Sequence, residues 1–190
     1  PTRRSSDLGN NSIDENDKDI VGSTIPRYTY SLNLNFGWKG LRLGLLFQGV
    51  GKTDGYLNTY YVMPSNQGGT FRKEHLDWAS AENPNGKTPR LTSANKNNWY
   101  DSSFWMKSAA YLRLKNIQLG YTLPERISMK FGVKRFKIYF NAQNLLTFSN
   151  CSFIDPESSE FGSNMNSGGA NSGRNYTNLR YFGAGLNITF

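Results

Sequence analysis

Two Gly-Lys-Thr triplets, at 51–53 and 86–88, are the first places where residue type and spacing could do chemistry, because phosphate-binding loops end on such a triplet. Such a loop also needs a glycine five residues upstream, and the chain has Leu46 and Ala81 there, so neither triplet reads as a phosphate cradle. Asp14, Glu15, Asp17 and Asp19 bring carboxylates close enough for calcium, yet the segment lacks the glycine and the distal glutamate of an EF-hand and is expected to be a solvated loop. His75 lies beside Glu74 and Asp77, with no second histidine in the chain and no marked nucleophile, which supports neither zinc binding nor a triad. Cys151 is the single cysteine and rules out an internal disulfide framework. No metal, cofactor or enzymatic activity is expected. Six aromatic residues, Tyr60, Tyr61, Trp78, Trp99, Tyr100 and Trp105, remain as ligand-contact candidates: their flat rings could stack on sugars, or could pack the loop and a membrane interface.

The elements that must position these residues are strands of strict period two. Tyr181 to Phe190 places Phe182, Ala184, Leu186, Ile188 and Phe190 on one face and Tyr181, Gly183, Gly185, Asn187 and Thr189 on the other. The same alternation predicts strands over about 28–36, 41–49, 111–123, 135–148 and 179–190. The last of these, 179–190, has room for the roughly 9 to 11 residues that cross a bilayer as tilted β. Leu112 and Leu114 are out of phase with Ile117, Leu119 and Tyr121, which predicts a bulge near Lys115 or Asn116. The expected lipid-facing residues include Leu32, Leu34, Leu43, Leu45, Phe136, Ile138, Phe140, Leu186 and Ile188. Phe190, a terminal aromatic on such a strand, is expected to be a signal to barrel-assembly machinery.

Composition agrees with one-faced strands: 37% of the 190 residues are hydrophobic, 14% are aromatic, and the mean hydropathy is −0.61. A barrel with a wet interior needs apolar side chains only outward, and aromatic girdles enrich Tyr, Trp and Phe. The net charge of +8 is spread along the chain rather than gathered in a stripe, so nucleic acid is not an expected partner. Arg126, Lys130, Lys134, Arg135 and Lys137 flank one turn and read as a solvated segment or a contact for lipid headgroups.

Connections alternate in length: 37–40 short, 50–103 long and without a convincing element, 124–134 short, 149–178 long. Outer-membrane barrels pair short periplasmic turns with long extracellular loops, and that rule also puts 9–27 outside the cell. Five strands cannot close a barrel of even strand number, and an open edge in lipid leaves backbone groups unsatisfied, so a barrel fragment is expected. The opening residues 1–8, PTRRSSDL, resemble a translated sequencing adapter and are excluded from fold reasoning.

Several segments resemble the C-terminal end of the SusC/RagA family of TonB-linked outer-membrane proteins. They are PRYTYSLNLNFGWKGLRLGLLFQGVG (26–51), ENPNGKTPRL (82–91), SAAYLRLKNIQLGYTLPERI (108–127), KIYFNAQNLLTFSN (137–150), IDPE (154–157) and FGAGLNITF (182–190). The resemblance covers nearly everything after Gly9. It implies about the last five strands of a 22-stranded, all-β antiparallel transmembrane barrel. It also implies import of oligosaccharides or peptides, energised through TonB, beneath a surface lipoprotein of the SusD type. Two competing readings are a passive porin-like or structural barrel and a secreted glycan-binding β-sandwich.

Overall fold

The computed structural model describes residues 20–58, 61–64, 70–91, 102–151, 154–158, 170–171 and 176–190. The strands, in chain order, are β1 (Tyr28–Trp38), β2 (Leu41–Gly51), β3 (Asp54–Leu57), β4 (Met106–Ser108), β5 (Tyr111–Thr122), β6 (Arg135–Ser149), β7 (Ala170–Asn171) and β8 (Tyr181–Thr189). The five long ones form one antiparallel sheet in the order β1-β2-β5-β6-β8, open, with β1 and β8 at its edges. The 50–103 segment, expected to lack elements, carries β3, which pairs antiparallel with β4 just beyond that segment and parallel with β7 of the other long connection. These strands are two to four residues long, too short for period two to register in the sequence.

The register keeps one apolar face continuous across the main sheet. Leu34 faces Leu45, Leu45 faces Ile117, Ile117 faces Ala142, and Ala142 faces Phe182. Leu32, Leu43, Phe136, Ile138, Phe140, Leu186 and Ile188 share that face, and the ring of Phe140 lies 6.4 Å from that of Phe182. The opposite face carries Asn33, Asn35, Arg42, Gln118, Asn141 and Asn187, among others.

Lys115 is the bulge residue: Leu46 pairs with Asn116 and Phe47 with Leu114, so Lys115 has no opposite number on β2. This one extra residue switches the parity of β5 and returns both halves of it to the apolar face. The strand beyond responds at the same level, because Asn144 and Leu145 of β6 drop out of register and Asn144 takes a left-handed φ of 52°. Two extra residues preserve parity, so Phe136, Ile138, Phe140 and Ala142 before them and Leu146 and Phe148 after them keep one phase, and only Asn144 and Leu145 interrupt the alternation. Asparagine tolerates this conformation better than most residues.

Lys39 and Gly40 make the tight turn between β1 and β2, both at positive φ. A side chain on Gly40 would meet the Thr122 carbonyl oxygen at 2.5 Å, so the turn packs directly on the end of β5. The second short connection holds helix α1 (Glu125–Ser128) and a 3-10 turn, Met129–Phe131, stopped by Gly132 at φ 73°. Ser128 is fully buried there, and its hydroxyl donates to the Glu125 carbonyl. Both short connections lie at one end of the sheet, and the long ones leave from the other.

Candidate functional site

The long-connection end of the sheet holds the densest polar chemistry among the described residues. Arg113 points from β5 onto the polar face, where its Nε donates to Thr147 Oγ1 on the neighbouring strand (2.9 Å). Its two terminal nitrogens reach Asp155 and Glu157, the latter at 2.6 Å, and Lys115 also pairs with Glu157. The Asn178 backbone N–H donates to Asp155 Oδ2 (2.8 Å), and its side-chain amide donates to Glu157 Oε2 (2.9 Å). The bulge helps: with Lys115 set between the two halves of β5, both cations reach one pair of carboxylates. Burial alone would raise the Asp155 carboxyl, but the Arg113 guanidinium and the N–H groups of Asn178 and Glu157 reverse that and hold it below its ordinary 3.8. Arg113 and Asp155 are nearly sealed from water, their side chains 4% and 6% exposed, so the cluster staples both ends of the β6–β8 connection to the strand wall.

Beyond it, Leu57, Tyr61, Val62 and Trp105 form a small core against which Tyr56 and Ile154 pack. Ile154 belongs to the β6–β8 connection and the others to the β2–β5 connection, so the two long segments share one interior. Two of the aromatic ligand-contact candidates are sealed in it. Tyr61 is 7% exposed with Arg72 stacked 4.4 Å from its ring centre, and Trp105 is 5% exposed, so neither offers a free ring face. Sequence order could not reveal this, since burial there depends on segments about fifty residues away meeting. Trp78 stays 37% exposed and lies edge-on to Phe71, itself exposed, at 5.9 Å. Tyr60, Trp99 and Tyr100, and the acidic stretch 14–19, fall outside the described residues.

His75 is a packing residue in this layer. Its Nδ1 accepts from the Arg72 N–H (2.9 Å), which leaves Nε2 protonated to donate to the Tyr61 carbonyl (3.0 Å). Gly86 of the second Gly-Lys-Thr triplet lies flat on the backbone of Trp78 and Ala79, with no room for a side chain. Thr88 then pairs with Ala79 and Asp77 through its backbone, so the triplet shapes a loop. In the first triplet Thr53 is buried and donates to the Thr24 carbonyl (3.1 Å). No cluster of three metal-ligating side chains occurs among the described residues.

A shallow depression on the polar face, near the short-turn end, is lined by Asn35, Arg42, Gln118, Lys137, Tyr139 and Asn141. Lys137 lies across Gly120, the residue between Arg42 and Tyr139 in the register. The surface offers amide, phenol and cationic groups and no nucleophile poised beside a base.

Strands of nine to fifteen residues, one face apolar and exposed, the other rich in amides, define a membrane-type antiparallel sheet. The relatives agree. The chain is 31% identical over 186 residues to TonB-dependent receptor P3 of Formosa agariphila, covering 96% of this chain and 18% of the relative. It is 30% identical over 191 residues to TonB-dependent receptor P26 of the same bacterium, covering 96% and 19%. Among solved structures it is similar to the RagAB peptide importer in its open-open state, with a TM-score of 0.65, 25% identity, and coverage of 90% of this chain and 18% of that one. The fold also matches another structure of the RagAB peptide transporter, at TM-score 0.70 and 23% identity, over 94% and 19% of the two chains. No family model matches. Over nearly its whole length the chain is similar to TonB-dependent receptors, and it spans about one fifth of the curated relatives it matches.

In the sequence YLRLKN and IDPE stand as separate segments, with nothing to say that they meet. The one signal that could have joined them is spacing: Arg113 and Lys115 stand two apart, as do Asp155 and Glu157. Thr147 and Asn178 carry no such mark.

Proposed function

We propose that the whole protein imports nutrients, oligosaccharides or peptides, across the outer membrane with energy relayed by TonB, and that this chain supplies about the last five strands of its barrel wall. Leu32, Leu34, Leu43, Leu45, Phe136, Ile138, Phe140, Leu186 and Ile188 then face lipid, and the amide-rich face lines the lumen. The observation that carries this reading is the pairing of two opposed faces with a stapled outer layer at one end only. A soluble sandwich would cover Leu32 and Leu186, which are 53% and 59% exposed. Closure into a barrel resembling the 22-stranded transporters satisfies the edges of β1 and β8, since open edges are not tolerated in lipid. The stapled layer is the natural seat for a surface lipoprotein of the SusD type, as kinship with the RagAB importer suggests. TonB engagement falls to the portion of the protein outside this chain.

The test is uptake of labelled oligosaccharides and peptides by cells carrying the full-length gene or its deletion. Gene-dependent uptake should collapse on adding a protonophore or removing TonB. Uptake that persists under both treatments is the signature of a passive pore and would overturn active transport.

A further inference from the structure

The short-turn end carries chemistry that transport does not use. Thr122 N–H donates to the Gly40 carbonyl (2.9 Å) and Lys134 N–H to the Thr189 carbonyl (2.8 Å), so both short connections and the end of β8 form one continuous rim. Lys39, Arg126, Lys130, Lys134 and Arg135 stand on it, all exposed, and Glu125 is the one acid within 118–137. Among the described residues none of the five has a carboxylate partner. Large apolar side chains stand among them: Trp38, Met129 and Phe131 are 69%, 63% and 75% exposed. The Lys39 ammonium lies 5.0 Å from the Trp38 ring centre, a cation held on an interfacial aromatic.

In water, a turn of this composition leaves Phe131 and Met129 solvated with no compensating contact. At a membrane boundary the same composition is favourable, with apolar side chains among acyl chains and cations at the phosphates. Five strands about 4.8 Å apart spread the rim over roughly 20 Å, wide enough for a row of headgroups rather than one ion.

We propose that this rim is a docking surface for anionic phospholipid headgroups in the leaflet on the short-turn side. Trp38, Met129 and Phe131 enter the headgroup boundary, and the five cations take the phosphates. The inference rests on the membrane-barrel reading and is independent of what the protein imports.

The test uses the folded full-length protein in neutral detergent, titrated separately with phosphatidylglycerol, phosphatidylcholine and inorganic phosphate, with retained lipid counted by mass spectrometry. The wild type should retain phosphatidylglycerol preferentially. The combined variant Lys39→Gln, Lys130→Gln, Lys134→Gln, Arg135→Gln should bind it at least tenfold more weakly, since each basic side chain at an anionic surface contributes about fivefold. Phe131→Ser keeps every charge and should weaken retention too, and raised salt should weaken it in the wild type. If the combined variant fails to fold, those last two measurements still decide. Equal retention of the two lipids by the wild type, an unchanged preference in the folded variant, or full competition by inorganic phosphate would each overturn the proposal. Loss of energised uptake with lipid preference intact would strike the transport reading alone.

Discussion

Arg113 is the residue on which most depends at the smallest scale, because one guanidinium links two strands to a connection that the sequence places more than forty residues away. Breaking a buried pair from one side leaves a charge without compensation, at a cost of roughly 3 to 5 kcal/mol. Arg113→Ala in the full-length protein should therefore free the 150–180 connection, read as faster protease cleavage there with the strands still protected. Unchanged cleavage would show that the staple does not hold the loop. The same cluster sets a pH dependence. Asp155 titrates below 3.8 when folded, so its stabilising contribution is complete above about that pH and is lost as pH falls through the lowered folded value. Cleavage should rise only in that acid range, and Asp155→Asn should remove that step while raising cleavage at neutral pH. Phe190 belongs to this scale as well: it is 80% exposed, against 62% for Phe182 on the same face. Deleting it, or Phe190→Asp, should sharply reduce membrane insertion with synthesis unchanged. If Phe190→Ala costs no more assembly than Phe182→Ala, the ring is one lipid contact among many.

At the scale of the element, the period-two strands and their register make a claim about faces. Leu34 and Leu45 are directly opposed on neighbouring strands, and Leu186 opposes Ile138 at the far side of the sheet. Leu34→Arg, Leu45→Arg or Leu186→Arg should impair folding of the full-length protein by roughly 2 to 4 kcal/mol, the cost of arginine at the midplane of a barrel's lipid face. Arginine at Asn33 or Asn187, one residue along, should be mild. Equal folding yields for the two sets, measured by heat-modifiable gel migration, would invert or abolish the assignment. The bulge at Lys115 is plain in the sequence because it changes parity, whereas the paired irregularity at Asn144 and Leu145 leaves the phase on either side intact and shows only as those two out-of-place residues.

At the scale of the whole molecule, antiparallel order places 124–134 and the Lys39–Gly40 turn at one end and the stapled layer at the other. Under the outer-membrane reading the stapled layer faces outward. With Cys151 replaced by serine, a cysteine at Glu82 should react with a membrane-impermeant reagent on intact cells, and one at Lys130 should react only after the envelope is opened. Both positions are exposed, whereas Ser128, in the same turn, is buried and could not report. Labelling at Lys130 alone on intact cells would reverse the topology.

The sequence by itself determined the five long strands, their two faces, the bulge on β5 and the alternation of short and long connections, because each is a local pattern of side-chain type repeated over nine or more residues. Only the tertiary structure decided the rest. The short strands β3, β4 and β7, the burial of Tyr61 and Trp105, and the meeting of Arg113 and Lys115 with Asp155 and Glu157 all depend on segments far apart in the chain. Nothing in the local sequence of such segments carries the identity of the partner, so the contact exists only once the sheet has fixed where their ends emerge.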